Sequence, residues 1–369
     1  MMITLSHVWW LMKRVLVPAL LIAILMANIA LLFPARRMNV APSAPSTEHS
    51  AVVATPLPPP RPQTSIKFKE TDEFYLVKRR IVERVERLRN RCANFTQPSQ
   101  LKKKSLDILL ATRSQLLEKN RLLVCVVHKA GSTAWNALLA SIYDKGFHLR
   151  VEKDLPNMFT YLKPTIERYR EAIVSSEFER FLVVRDPLER LLSAYRDRIL
   201  DRTIVTWHAR YFAPLILKYT RGRSFSHEDM FFINGTIKIM PTFTEFVRFL
   251  VDQPALEYDS HWKPISLHCE VCYVNYTSIV HMETFLTDLK YVFAMSGLDE
   301  AADLSVLTRN SHKGHGNTKE LLISYYSALG PKLLQLIVNV YKDDFYLFDY
   351  DPTEFLGKVS PNVTINWRK

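Results

Sequence analysis

The sequence predicts an α/β fold in which helices flank a parallel β-sheet, because apolar segments with the length of strands alternate with helical segments. Two of these segments, residues 122–127 and 181–184, have the composition of buried strands, and each leads into a helix. A third strand is expected at residues 272–274 or 279–281. In this fold class ligands bind at the carboxyl ends of the parallel strands, where the two most informative motifs of the chain occur.

The first motif, residues 122–135 (LLVCVVHKAGSTAW), has the composition of a P-loop-like turn between a strand and a helix. Gly131 lets the backbone approach an anion closely, and the following helix directs its unpaired N–H groups towards it. Lys129 adds a positive charge, while Ser132 and Thr133 add hydroxyl donors. The motif is not the Walker pattern, in which the lysine follows a second glycine, so an ordinary nucleotide kinase is disfavoured. The alternative is a plain strand, turn and helix with a Ser or Thr cap.

The second motif, residues 181–198 (FLVVRDPLERLLSAYRDR), follows the second strand in the same way. Pro187 suits the first turn of a helix, where its missing N–H costs nothing. Four residues at spacings of four, four and three are expected to lie near one another on one helix face, which predicts an anion site: Arg185, Glu189, Ser193 and Arg196. The other face is apolar and is predicted to pack in the core through Leu188, Leu191, Leu192 and Tyr195. The alternative is a solvated face in which a glutamate pairs with neighbouring arginines.

Together the two motifs resemble the signature elements of the Golgi carbohydrate sulfotransferases. The resemblance is closest to the group of chondroitin and dermatan 4-O-sulfotransferases, N-acetylgalactosamine 4-sulfotransferases and the HNK-1 sulfotransferase. Two further segments support it, residues 261–264 (HWKP), which are followed by Cys269 and Cys272, and residues 341–350 (YKDDFYLFDY). The four motifs occur in the family's order, and the resemblance covers about residues 74–351.

The resemblance implies a sulfotransferase fold, with 3′-phosphoadenylyl sulfate as the sulfate donor and no metal. In that family the first motif binds the 5′-phosphosulfate, a role that falls here to His128, Lys129, Ala130, Gly131, Ser132, Thr133 and Ala134. The second motif binds the 3′-phosphate, a role that falls to Arg185 and Ser193. The chain departs from the family pattern where His128 replaces a usual proline, and where Ala134 and Asn136 replace more polar or basic residues.

Sulfuryl transfer requires a base for the acceptor hydroxyl and positive groups near the leaving phosphate oxygen. Lys129 is predicted to stabilise the charge on that oxygen. His261 of the HWKP segment is the expected base, because imidazole titrates near neutral pH. His128 and Glu283 are competing candidates, and a histidine in a helix cap or in the core is a common structural alternative. The predicted catalytic residues are therefore Lys129 and His261.

The formal net charge of +12 indicates an acidic partner. Nucleic acid fits this charge, but a membrane anchor and several glycosylation sequons disfavour it. An acidic glycan fits both observations, and the resemblance implies transfer to the 4-position of N-acetylgalactosamine in chondroitin. The alternatives are dermatan, a terminal N-acetylgalactosamine or glucuronate, and a catalytically inactive glycan-binding protein of the same fold. Residues 200–260 and 309–319 are candidate acceptor-binding or lid segments, although exposed loops have the same composition.

Four regions are predicted along the chain: a cytoplasmic tail (1–14), a transmembrane signal anchor (15–33), a Pro-rich lumenal stem (34–70) and the lumenal sulfotransferase domain (71–369). The anchor has about nineteen apolar residues, which is enough to cross a bilayer core of about 30 Å. A cleaved signal peptide is the alternative. Four N-glycosylation sequons follow the anchor and predict a type II protein of the Golgi membrane: Asn94, Asn234, Asn275 and Asn362.

From residue 71 onward a helical pattern places apolar residues on one face: Val77, Ile81, Val85 and Leu88. This face is expected to pack on the catalytic domain, and the alternative is that it pairs two subunits in a homodimer.

The four cysteines allow two disulfides in an oxidising compartment. Cys125 is expected to stay a free thiol, because it lies inside the first buried strand and behaves there as a small apolar residue. A disulfide is expected among Cys92, Cys269 and Cys272. A zinc site at the Cys-x-x-Cys pair is disfavoured, since the chain has no second pair of this kind.

Overall fold

The computed structural model describes residues 71–95, 102–143, 162–200, 205–222, 226–233, 235–298, 318–361 and 364–367. The predicted tail, anchor and stem lie outside the described residues. In the part of the chain that is described, no single helix has both the length and the apolar composition needed to cross a bilayer. Two consecutive helices, Leu321–Ser327 and Gly330–Val340, have this length and composition only when they are taken together, and they are bent by 115° relative to each other.

The strands and helices are numbered here in chain order. The strands are β1 (Ser114–Leu117), β2 (Leu122–Cys125), β3 (Glu179–Val184), β4 (Met230–Ile233), β5 (Thr236–Ile239) and β6 (Ser278–His281). The helices are α1 (Asp72–Ala93), α2 (Lys103–Thr112), α3 (Ser132–Tyr143), α4 (Ile166–Val174), α5 (Pro187–Tyr195), α6 (Trp207–Arg221), α7 (Phe243–Val251), α8 (Ile265–Cys269), α9 (Phe285–Ser296), α10 (Thr318–Ser327), α11 (Gly330–Val340), α12 (Lys342–Phe348) and α13 (Thr353–Val359).

Four of the strands form a sheet in the order β1-β2-β3-β6, while β4 and β5 form a separate hairpin. β2, β3 and β6 are parallel, and β1 runs antiparallel to β2. Leu182 of β3 is in register with Cys125 of β2 and Ile279 of β6, so the carboxyl ends of the three parallel strands lie at one edge. The predicted α/β fold is confirmed, and the third strand occupies the second of its two expected positions, residues 279–281.

Apolar side chains form two buried clusters. The first surrounds the sheet and includes Leu117, Phe181 and Phe293. The second is built from helices, among them α5, α7 and α10, and includes Leu192 and Phe246. Burying one such side chain contributes about 1.5–3 kcal/mol. Because α5 begins directly after β3, the second sequence motif passes from the sheet cluster into the helical cluster.

Helix α1 packs on the sheet cluster through its predicted apolar face, which is buried. Thr71 begins the helix, and its Oγ1 accepts a hydrogen bond from the backbone N–H of Phe74 at 3.2 Å. Asp288 of α9 is fully buried and pairs with Arg80 at 2.5 Å and with Arg84 at 2.6 Å. The domain itself therefore uses this face, as expected.

Two of the predicted glycosylation sites, Asn94 and Asn275, belong to the described residues, and both are exposed. Asn275 accepts a hydrogen bond through Oδ1 from Nε of Arg89 at 3.2 Å, so its amide nitrogen takes no part in that bond. Asn234 and Asn362 lie outside the described residues.

The four cysteines form two disulfides, Cys92–Cys272 and Cys125–Cys269. The first agrees with the expected pairing among the three other cysteines, but the prediction that Cys125 is free was wrong. Cys125 is the last residue of β2, and α8 brings Cys269 against the end of that strand, with 6.0 Å between the two Cα atoms. The strand pattern shows that Cys125 is buried and contains no information about a partner 144 residues away. As disulfides, these cysteines provide no thiolate for zinc.

Removing the Cys125–Cys269 disulfide is expected to destabilise the protein strongly. The bond closes a loop of 144 residues, and a crosslink of this span restricts the unfolded chain enough to contribute roughly 2–5 kcal/mol. Thermal unfolding of the Cys125→Ala/Cys269→Ala double variant tests this, and Cys92→Ala/Cys272→Ala, which opens a loop of 180 residues, is expected to destabilise the protein by a similar amount. A free thiol at Cys125 in a non-reduced peptide map would contradict the pairing.

Candidate active site

A cavity of about 450 Å³ opens at the carboxyl ends of β2 and β3. Nine of the residues predicted from the sequence line it: His128, Lys129, Gly131, Ser132, Thr133, Ala134, Arg185, Ser193 and His261. Ala130 does not line the cavity, because its side chain is buried in the sheet cluster. Both sequence motifs and the HWKP segment therefore meet around one space.

The first motif forms a tight turn between β2 and α3. Lys129 and Gly131 have positive φ angles of 66° and 76°. A side chain at the glycine position would place its Cβ 3.0 Å from the ring of Phe285 on α9, so only glycine fits without movement. Helix α3 begins at Ser132, where the first-turn N–H groups have no partners within the helix. The turn thus has the geometry of an anion-binding helix start, as predicted.

Side chains from other segments hold the carbonyl groups of this turn. Arg185 donates to the carbonyl of Lys129 at 3.1 Å, and Arg190 donates to that of His128 at 2.9 Å. The Nε2 atom of His268 lies 3.0 Å from the carbonyl of Val126. These bonds compensate the negative ends of the peptide groups, while the N–H groups at the start of α3 stay available to an anion.

Lys129 forms an ion pair with Asp197, with 3.0 Å between Nζ and Oδ2. Burial lowers the pKa of Lys129, with Arg198 and Arg185 adding to this effect, although Asp197 opposes it. Burial alone would raise the pKa of Asp197, but Lys129 and Arg198 together lower it. The lysine is therefore held at one place in the cavity by a carboxylate that an incoming anion would have to displace.

The second motif positions Arg185 at the end of β3 and Ser193 two turns further along α5. Asp186 caps this helix, since its carboxylate accepts the backbone N–H groups of Leu188 at 3.0 Å and Glu189 at 2.9 Å. Pro187 occupies the first turn, as predicted, and the predicted apolar face is buried. Arg185 contacts the carbonyl of the first motif's lysine, so the two motifs are joined directly.

One part of the second motif differs from its predicted arrangement. The α-helix ends at Tyr195 and continues as a π-helical turn over residues Arg196–Leu200. This wider turn changes the angular positions of the residues, so that Asp197 and Arg198 line the cavity and Arg196 does not. Ideal helical spacing from Arg185 could not reveal this change.

His261 belongs to a cluster of ionisable side chains at the cavity wall. Its Nδ1 lies 2.7 Å from Oδ1 of Asp259, and its ring stacks on His128 with 4.2 Å between ring centroids. His208 of α6 approaches the other carboxylate oxygen of Asp259 at 3.5 Å. Because the carboxylate accepts the Nδ1 proton, Nε2 of His261 carries the free lone pair of the neutral ring.

The pKa values of His261, His128 and Asp259 favour two neutral imidazole rings and an ionised carboxylate. Burial lowers the pKa of His261 to about 4, with Arg198 adding to the effect, although Asp259 opposes it. Burial also lowers the pKa of His128 to about 3, and the neighbouring His261 contributes. Hydrogen bonds from His208 and His261 outweigh burial and hold the pKa of Asp259 far below its usual value. At neutral pH His261 is therefore a neutral hydrogen-bond acceptor.

The third candidate base, Glu283, is not part of the cavity wall. It is exposed, and its carboxylate accepts a hydrogen bond from the hydroxyl of Tyr350 at 3.1 Å. Among the described residues, two sets of side chains lie close enough to hold a metal ion, His208 with Asp259 and His261, and His268 with two cysteines. The cysteines of the second set form the Cys125–Cys269 disulfide, which removes them as ligands.

The HWKP segment is held by the other segment that carries the resemblance, residues 341–350. The hydroxyl of Tyr341 donates to the carbonyl of Trp262, which is fully buried. The carboxylate of Asp344 accepts the backbone N–H groups of Ile265 at 2.6 Å and Ser266 at 2.8 Å. The C-terminal motif therefore anchors the backbone that follows His261.

Sequence reasoning assigned no role to three residues that the site requires: Arg190, Asp197 and Asp259. Asp197 lies one helical turn after Ser193, and Asp259 lies two residues before His261, so both positions carried a local signal. Arg190 carried none, because its position in the helix is also compatible with a solvated charge.

These features define an α/β protein with a cavity at the carboxyl ends of two parallel strands, lined by cationic side chains and by the start of a helix. The sequence model of the sulfotransferase family matches residues 115–351, and the chain belongs to this family. It is similar to carbohydrate sulfotransferase 11 of Rattus norvegicus, with 24% identity over 248 residues, covering 65% of this chain and 67% of that protein.

Two forms of a second relative cover more of the chain. Carbohydrate sulfotransferase 10 of Xenopus laevis is 25% identical over 293 residues, covering 74% of this chain and 77% of that protein. The Homo sapiens form is 24% identical over 308 residues, covering 78% of this chain and 81% of that protein. No solved structure matches this chain significantly.

Replacing Gly131 by alanine is expected to destabilise the protein more than the same change at Gly222. Both glycines have positive φ angles, so both alanines carry a backbone cost of about 1–2 kcal/mol. Only at Gly131 does the new Cβ meet another group, the ring of Phe285, while nothing lies within 4 Å at Gly222. Thermal unfolding of the two variants measures the difference, and equal destabilisation would contradict the close packing of the turn.

Proposed function

We propose that this protein is a carbohydrate sulfotransferase that transfers the sulfuryl group of 3′-phosphoadenylyl sulfate to a sugar hydroxyl. The observation that carries the proposal is the joining of the two motifs in one cavity, where Arg185 of the second motif donates to the carbonyl of Lys129 in the first. Family membership supports the reaction class and the sulfate donor. The names of the similar proteins support a carbohydrate acceptor.

The residues of the cavity fit such a donor. The turn around Gly131 leaves no room for a side chain, and the start of α3 suits the 5′-phosphosulfate. Arg185 and Ser193 of the second motif also line the cavity and suit the 3′-phosphate. A volume of about 450 Å³ is within the range of small-molecule sites. The bound donor supplies an already activated sulfuryl group, so no metal is assigned to the reaction.

Lys129 acts on the leaving oxygen, and His261 acts on the proton of the acceptor hydroxyl. When the acceptor oxygen forms its bond to sulfur, the bond from sulfur to the phosphate oxygen breaks, and Lys129 stabilises the negative charge on that oxygen. The hydroxyl proton passes to Nε2 of His261, whose imidazolium form is stabilised by Asp259. Asp259 thus acts as a positioning residue that fixes the tautomer and the ring orientation of the base.

The finer parts of the proposal come from the sequence. We propose the 4-position of N-acetylgalactosamine in chondroitin as the acceptor, with dermatan and terminal N-acetylgalactosamine or glucuronate as the competing acceptors. We further propose a type II protein of the Golgi membrane with a lumenal catalytic domain. The apolar segment at residues 15–33 and the sequons after it support this location.

The direct test is transfer of radiolabelled sulfate from 3′-phosphoadenylyl sulfate by the purified full-length chain. The acceptor panel contains desulfated chondroitin, desulfated dermatan, heparosan, and glycans that end in N-acetylgalactosamine or glucuronate. Label in chondroitin, located at the 4-position by disaccharide analysis, is the expected result. Label in another glycan would retain the reaction and replace the acceptor, while binding of the glycans without transfer would indicate an inactive glycan-binding protein.

Lys129→Ala and Arg185→Ala are expected to impair different steps. Loss of Lys129 removes a charge aimed at the leaving oxygen and should lower kcat by roughly 10²–10³-fold. Loss of Arg185 removes a ligand of the 3′-phosphate and should mainly raise the Kd of adenosine 3′,5′-bisphosphate. Arg196→Ala serves as the control, because this arginine does not line the cavity. Equal and modest effects of both variants on both quantities would count against these roles.

The pH dependence of the rate tests the base. Because the pKa of His261 is about 4, the ring is neutral across the physiological range, and kcat/KM should fall on the acidic side only below about pH 5. Asp259→Asn should lower kcat roughly 10–100-fold and leave the donor KM unchanged, as expected for loss of a group that orients the base. Asp252→Asn, at the end of α7, is the control. An acidic limb near pH 6.5 would exclude His261 in this environment.

A further inference from the structure

A second cavity, of about 350 Å³, lies beside the first at the same edge of the sheet. It is bounded by the start of β1, the segment after β2 and the first turns of α3. His128 lines both cavities, and its ring stacks on that of His261, the proposed base. A ligand in the second cavity would therefore lie next to the reacting end of the first.

Two cations of this cavity wall form no ion pair with the described residues. Arg113 and Lys163 both line it, and neither forms an ion pair with any residue that the structure describes. Arg113 is fixed in place, because Nη1 donates to the carbonyl of His268 at 2.8 Å. Burial lowers the pKa of Arg113, although the neighbouring carboxylate of Glu270 opposes this effect. Such a pair suits an anionic group of the ligand.

His268 provides an unpartnered acceptor in the same cavity. The residue is only 3% exposed, and its Nε2 donates to the carbonyl of Val126 at 3.0 Å. Since a carbonyl only accepts, Nε2 carries the proton and Nδ1 carries the lone pair. Nδ1 is buried and has no hydrogen-bond partner among the described residues. A buried acceptor of this kind calls for a donor such as a hydroxyl group.

A chain of amide side chains completes the wall. The indole N–H of Trp135 donates to Oε1 of Gln115 at 2.7 Å, and Nε2 of Gln115 donates to Oδ1 of Asn136 at 3.2 Å. Gln115 and Asn136 both line the cavity. With its oxygen occupied, Asn136 has N–H groups left for an acceptor on the ligand. The second cavity thus combines cations, one acceptor and amide donors.

We propose that the second cavity binds an anionic pyranose unit of the acceptor glycan, next to the sugar that receives the sulfate. Arg113 and Lys163 bind its carboxylate or sulfate group, and Nδ1 of His268 accepts a hydrogen bond from one of its hydroxyl groups. The proposal rests on the sulfotransferase function, because it requires a glycan whose next sugar reaches the first cavity past His128. It identifies the substrate class as a glycan with an acidic sugar beside the acceptor sugar.

The test compares Lys163→Glu with Lys332→Glu, which makes the same charge change at an exposed lysine that lines neither cavity. Three acceptors are used: an unsulfated glucuronate and N-acetylgalactosamine oligosaccharide, its carboxyl-reduced form, and a carboxyl-reduced form bearing sulfate on the reduced sugar. The expected result is an acceptor KM raised roughly tenfold by Lys163→Glu, about 1.4 kcal/mol, with the donor KM unchanged. Carboxyl reduction should raise the wild-type KM and remove the difference between the two variants.

The sulfated acceptor separates recognition of sulfate from recognition of carboxylate. If Lys163→Glu again raises the acceptor KM with this acceptor, the cavity binds sulfate as well as carboxylate. His268→Gln keeps a donor to Val126 and removes the Nδ1 acceptor, so it should raise the acceptor KM and leave the donor KM unchanged. Equal acceptor KM values for Lys163→Glu and Lys332→Glu, with sulfate transfer intact, would overturn the proposed subsite alone. Absence of transfer to every acceptor would instead overturn the proposed function.

Discussion

The guanidinium group of Arg190 is completely buried and holds together the three segments that form the site. Its nitrogens donate to the carbonyl of His128 at 2.9 Å, of Ser260 at 3.0 Å and of Lys263 at 2.7 Å. A charge buried in this way is tolerated only when hydrogen bonds replace the lost water, and here peptide carbonyls do so. The carbonyl of His128 directly precedes Lys129, and those of Ser260 and Lys263 lie before and after His261 in the chain. This one side chain therefore fixes the backbone next to both predicted catalytic residues.

Around this centre, the sheet supplies rigidity and the helices supply charge. The turn after β2 adopts two positive φ angles, one of them at a lysine, and it keeps that conformation because Arg185, Arg190 and the ring of Phe285 enclose it. Lys129 lies beside Asp197 in this site, and the buried His261 lies beside Asp259. Each of the two residues proposed to act in the reaction is thus paired with a carboxylate that fixes its position before a ligand binds.

The sequence was informative where the chemistry is local. A buried parallel strand is a continuous apolar run, and an anion-binding turn needs glycine next to hydroxyl residues, so β2, β3 and the first motif could be recognised from short segments. What escaped prediction depends on contacts distant in the chain. The partner of Cys125 lies 144 residues away, and the carbonyl partners of Arg190 lie in two separate loops. The π-helical turn after Tyr195 is a local feature. It was missed because the prediction assumed ideal helical spacing, and the residue pattern does not reveal the wider turn.

The central claim is that the two motifs bind the two phosphate groups of one nucleotide. Calorimetric titration of the full-length protein with adenosine 3′,5′-bisphosphate, and in parallel with 5′-AMP and ATP, tests it most directly. We predict that the bisphosphate binds at least roughly tenfold more tightly than 5′-AMP, a difference of about 1.4 kcal/mol that reports the 3′-phosphate, and more tightly than ATP. Equal affinity for all three nucleotides, or no binding of the bisphosphate by a folded sample, would contradict the account.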